Sequence, residues 1–163
     1  MPVRIGDLRI LVVDSDQELR NLTRDMLDRL GIAQVFTVAD GSRTFAELRE
    51  RQYDLVILER QMEPLGGIDL TRMIRTAADS PDPHVPILMV TVAPSLQDVT
   101  EARDVGVSEF LIRPFSVDGL KGRITAIVNN PRAFIQVESY FGPDRRRVNK
   151  AFRGEDMRGR KNK

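Results

Sequence analysis

Short apolar runs alternate with segments of helical period along most of this chain, and that alternation restricts the fold more than any other feature. Leu8–Val13 (LRILVV) is a nearly continuous apolar run. A strand needs such a run only when a parallel sheet covers it on both faces. Gln17–Leu30 follows with Leu19, Leu22, Met26, Leu27 and Leu30 at helical spacing, then Gly31, where a left-handed helix end is expected. The pattern repeats four times. Gln34–Val38 precedes a helix over Ser42–Arg51, and Leu55–Leu58 precedes one carrying Ile68, Leu70, Met73, Ile74 and Ala77. Pro86–Val90 precedes a helix capped by Ser95 and answered by Asp98, and Phe110–Ile112 precedes one capped by Ser116. The buried face of that last helix is read as Val117, Leu120, Ile124, Ile127 and Val128, and the prolines of Ala78–Pro86 mark a loop.

Five strand–helix units in strict order predict an α/β fold with an open parallel sheet covered on both faces. Right-handed crossovers leave few topologies. The simplest is a flavodoxin-like, doubly wound five-stranded sheet of order 2-1-3-4-5 flanked by five helices. This domain takes in residues 1–130, and residues 131–163 form a basic extension.

Charge divides the same way. The 163 residues carry a net +1, but Tyr140–Lys163 holds nine Lys/Arg against three Asp/Glu, so an acidic domain bears a basic arm. Phe134–Phe141 reads as an extended or docked segment, and disorder is expected from Gly142 onward, where apolar residues thin out. The absence of cysteine rules out disulfides and thiolate chemistry. With neither a signal-like N-terminus nor an apolar run of membrane length, a cytoplasmic protein without membrane contact is the expectation.

The chemistry sits just past the strands. Asp14, Ser15 and Asp16 follow the first, Glu59 the third, Thr91 ends the fourth and Arg113 the fifth. The expected topology brings all of them to one edge of the sheet, where ligands of such folds bind. Taken singly, strand-end carboxylates are usually solvated or capping groups.

These segments, ILVVDSDQELR (Ile10–Arg20), YDLVILERQMEPLGGIDL (Tyr53–Leu70), PILMVTV (Pro86–Val92) and GVSEFLIRPFS (Gly106–Ser116), resemble the response-regulator receiver family of chemotaxis type over Leu8 to Asn130. The resemblance implies two-component signalling without enzymatic turnover. It also implies an acidic pair and an aspartate that bind Mg²⁺, phosphorylation of that aspartate by a histidine kinase, and a Thr, a Lys and an aromatic that read the phosphate. Asp14, Thr91, Pro114 and the switch aromatic Phe110 match. Ser15 replaces the second acid, Glu59 the acceptor aspartate and Arg113 the lysine, and Pro64 lies one residue late.

Mg²⁺ wants carboxylate and water oxygens, for which a hydroxyl is a poor substitute. The added methylene of Glu59 displaces its carboxylate by roughly 1.3 Å. Arg113 has a planar fork suited to carboxylates. The expectation is a degenerate site in which Glu59 pairs with Arg113, with no cofactor, and with Asp14 and Asp16 as the residual metal candidates. The domain then acts by protein contact with a histidine kinase or downstream effector, and association with a second copy is left open. Two alternatives stand beside it: an unconventional phosphoacceptor using Asp14 or Asp16, and a nucleic-acid-associated protein binding through its tail. Within the extension, Tyr140, Phe141, Arg145, Arg146 and Arg147 are read as a partner-docking peptide, on the premise that the two aromatics are otherwise exposed. His84 is read as an ordinary loop residue.

Overall fold

The computed structural model describes residues 3–137 and 140–145. The remaining residues, Arg146 and Arg147 of the expected docking peptide among them, lie outside this description. After a 3-10 turn at Ile5–Asp7 the chain runs β1 (Arg9–Val13), α1 (Gln17–Arg29), β2 (Gln34–Val38), α2 (Gly41–Glu50) and β3 (Leu55–Glu59). It continues through α3 (Gly67–Thr76), β4 (Ile87–Val92), α4 (Leu96–Val105), β5 (Glu109–Arg113) and α5 (Val117–Asn129). Strands β1 to β5 form one parallel sheet in the order β2-β1-β3-β4-β5. The fold is the expected flavodoxin-like one.

The apolar runs are continuous because both faces are covered. Leu11 and Val13 of β1 pack with Phe45, Leu48, Leu70 and Ile74 of α2 and α3. Their neighbours Ile10 and Val12 pack with Leu27, Leu120 and Ile124 of α1 and α5. The two-residue period of a strand thus feeds two cores from one sequence run. Helix α1 ends at Gly31, whose φ of 80° is the left-handed cap expected there. Its buried face is narrower than the leucine count suggests. Thr23 and Leu27 are buried, whereas Leu22, expected on that face, is 47% exposed because it lies to one side of the Thr23–Leu27 line.

The helices are anchored unequally. Helix α5 buries Leu120, Ile124 and Ile127, each worth roughly 1.5–3 kcal/mol, but α4 buries only Ala102. The capping box joining Ser95 and Asp98 is present at the start of α4.

Beyond α5 the structure corrects the sequence reading. Phe134–Val137 (β6) and Tyr140–Pro143 (β7) pair as an antiparallel hairpin, in which Gly142 and Pro143 are ordered and buried. Disorder therefore does not begin at Gly142. Tyr140 is buried, its hydroxyl donating to the carbonyl of Pro143, and Phe141 is half-buried. The premise that these aromatics are exposed for a partner does not hold, because they cover the chain's own α3 and α4. His84 is exposed at the edge of the same hairpin, with ring centroids 4.9 Å from Phe134 and 5.2 Å from Phe141.

Candidate functional site

Parallel strands of nearly equal length end at one edge of the sheet, so the residues at or just past their ends meet there. Asp14 lies one residue past β1, Glu59 ends β3, Thr91 is the penultimate residue of β4, and Arg113 ends β5. All four are buried or nearly so. Asp14 is 2% exposed and Glu59 8%, values that exclude a pair of solvated carboxylates.

Arg113 joins the two acids. Its Nη2 donates to Asp14 Oδ2 at 3.2 Å and its Nε to Glu59 Oε2 at 3.3 Å. The expected pairing with Glu59 is present, and the second carboxylate is an addition the sequence reading did not contain. One guanidinium bridges acids from two strands, instead of turning both prongs of its fork to one of them. The Phe115 ring lies 5.3 Å from the guanidinium carbon and limits where the fork can turn. The other carboxylate oxygens are also engaged. Asp14 Oδ1 accepts the N–H of Asp16 at 2.9 Å, and Glu59 Oε1 that of Gln61 at 3.2 Å.

Two carboxylates facing one guanidinium leave an excess negative charge in a dry site. Burial accordingly pushes the Asp14 carboxyl above its ordinary value, against the backbone donor of Asp16 and the charge of Arg113. Burial raises Glu59 as well, the neighbouring Asp14 charge adds to the rise, and Gln61 and Arg113 oppose it.

The other expected site residues divide. Ser15 and Asp16 are exposed, and Asp16 is occupied as the N-cap of α1, its Oδ1 accepting from the N–H groups of Glu18 and Leu19. The Thr91 hydroxyl is sealed in the core with no hydrogen-bond partner. Phe110 is half-buried against the core beside α4. Tyr140, Phe141 and Arg145 belong to the opposite end of the domain, against the last turns of α3 and α4. A residue not singled out from the sequence, Arg60, reaches from the end of β3 to Asp98 at 2.8 Å and fastens the start of α4.

A family model described as "Response regulator receiver domain" matches residues 10–125. The chain belongs to the response regulator receiver family. It is 31% identical to the chemotaxis protein CheY of Pseudomonas aeruginosa, over 74% of this chain and 95% of that protein. Among solved structures, the Vibrio cholerae chemotaxis protein CheY4 superposes with a TM-score of 0.67 at 26% identity, over 74% of this chain and 98% of that one. The receiver domain of a Pseudomonas aeruginosa sensor histidine kinase, solved with a magnesium ion coordinated in its active-site cleft, gives a TM-score of 0.64 at 27% identity, over 74% and 96% of the two chains.

In this receiver the cationic centre between Asp14 and Glu59 is Arg113, each of their four carboxylate oxygens accepts a hydrogen bond, and Asp16 caps its helix. Among the described residues no group of three His, Cys, Asp or Glu side chains is placed to hold a metal. Nor, among them, is any helix long and apolar enough to cross a membrane.

Proposed function

We propose that this receiver domain works in two-component signalling as a pseudo-receiver, passing information by protein contact without accepting a phosphoryl group. The observation that carries the reading is the Arg113 bridge to Asp14 and Glu59. In a working receiver an acidic pair and the acceptor aspartate gather a divalent cation and then a phosphoryl group. Here a permanent side-chain cation stands between the acids of the same corner. Both Glu59 oxygens are engaged by donors, which leaves its carboxylate poorly placed and poorly nucleophilic for in-line attack on phosphorus. The domain accordingly holds one signalling state and needs no Mg²⁺.

Its partner is a signalling protein, a histidine kinase or a downstream effector. The alternative acceptors are disfavoured on geometry, since Asp14 is buried beneath Arg113 and Asp16 caps α1.

The test is intact-mass measurement after incubation with a small phosphodonor and Mg²⁺. The expected result is an unchanged mass under conditions that fully phosphorylate a competent receiver run alongside. A phosphoryl adduct mapped to Glu59, Asp14 or Asp16 would overturn the reading.

A further inference from the structure

We propose that the C-terminal hairpin is a clamp on α4, so that displacing the hairpin loosens that helix and changes the surface it offers to partners. The second half of this rests on the protein-contact function above. The first half rests on how α4 is held. Because α4 buries only Ala102, and Leu96 at its start is 85% exposed, apolar packing does little to position it. Polar contacts at its two ends take over that role. At the first turn Arg60 grips Asp98. At the last turn the contacts come from the hairpin and from a buried arginine that the hairpin covers.

Gly106 closes α4 in the left-handed conformation, with φ of 104°, and lies directly against Gly142 of β7. A Cβ on Gly142 would stand 2.9 Å from the Gly106 Cα and 2.6 Å from the Tyr140 hydroxyl, so only glycine lets the two backbones meet. Arg75 of α3, 3% exposed, donates from Nε to the Gly106 carbonyl at 3.0 Å and from Nη1 to the carbonyls of Pro83 and Val85 at 2.9 and 2.7 Å. Its guanidinium carbon lies 5.0 Å from the Phe134 ring centroid. Arg145 adds an exposed contact, reaching Asp104 at 2.9 Å while lying over the Tyr140 ring.

Arg75 is thus the pin. Its charge is met by carbonyls and an aromatic face, and the aromatic face is present only when the hairpin is docked. Lifting the hairpin wets this arginine and removes the backbone on which Gly106 rests, which frees the last turn of α4. By linkage, a partner that grips α4 in its present position tightens the hairpin by the same factor.

Amide hydrogen exchange on the full chain tests the clamp, with Gly142→Val and Phe134→Ala as separate variants. The expected result is exchange about tenfold faster across Leu96–Val105 in each, while α1 and α5 keep their wild-type rates. Should Gly142→Val fail to fold, Phe134→Ala alone decides. Faster exchange confined to the hairpin, or spread evenly over the whole domain, would overturn the clamp. The two proposals fail separately. A phosphorylated Glu59 ends the pseudo-receiver reading without touching the exchange result, and unaltered α4 exchange ends the clamp without touching the mass measurement.

Discussion

Arg113→Ala is expected to destabilise the domain by about 3–5 kcal/mol at neutral pH, the usual cost of removing one partner from a buried ion pair. For a domain of this size that lowers the melting temperature by roughly 10–20 °C. The loss is large because it leaves Asp14 and Glu59 buried and facing each other with no cation between them. It is also pH-dependent in a defined direction. Both carboxyls are raised in the folded protein above their ordinary values of 3.8 and 4.5. Below those values folded and unfolded chains are both protonated, and the pair costs nothing. As pH rises the unfolded chain ionises first, so stability falls until the folded pair has ionised too. The deficit of the variant against wild type is therefore small at about pH 3.5 and larger at pH 7. Thermal denaturation at the two pH values checks this. A deficit that grows toward acid pH would mean that Arg113 does not compensate these acids.

The second large effect is a gain. The combined substitutions Ser15→Asp, Glu59→Asp and Arg113→Lys are expected to confer Mg²⁺-dependent phosphorylation at position 59, at least about a hundredfold faster than in the wild type. Each change removes one obstacle. Aspartate withdraws the carboxylate by roughly 1.3 Å, one carbon–carbon step. The second acid supplies a hard oxygen for the metal. Lysine gives up the planar fork that now spans Asp14 and Glu59 and acts as a point charge. Glu59→Asp alone is expected to gain little, because Arg113 remains between the acids. Phosphodonor labelling with and without Mg²⁺ measures this, and a triple variant as inert as the wild type would show that the obstacle lies elsewhere.

The features legible in the sequence were those set by short-range pattern. Continuous apolar runs such as Leu8–Val13 imply strands covered on both faces, and the caps at Ser95 and Ser116 and the Gly31 turn fall where local chemistry demands, whereas the capping role of Asp16 emerges only in the structure. Because the topology follows from strict alternation, the meeting of Asp14, Glu59, Thr91 and Arg113 at one edge was legible as well. How one guanidinium divides its donors was not, for that depends on the Phe115 ring and on the depth of Asp14, which only packing decides. Arg75 was invisible for a related reason. On an amphipathic helix an arginine reads as a solvated residue, and here it is buried by a hairpin about sixty residues further along the chain. The same hairpin defeated the reading of Tyr140 and Phe141, since a short basic segment with two aromatics gives no local sign of whether it covers its own domain or another protein.

In the proposed reading Arg113 is the resident cation between Asp14 and Glu59, in place of a metal and a phosphoryl group. A Mg²⁺ titration of the wild-type chain, followed through the backbone amide resonances of residues 14–16 and 59–61, tests it most directly. No saturable shift is expected at those positions up to millimolar Mg²⁺. A saturable shift at Asp14 and Glu59, with the ion displacing Arg113, would contradict it.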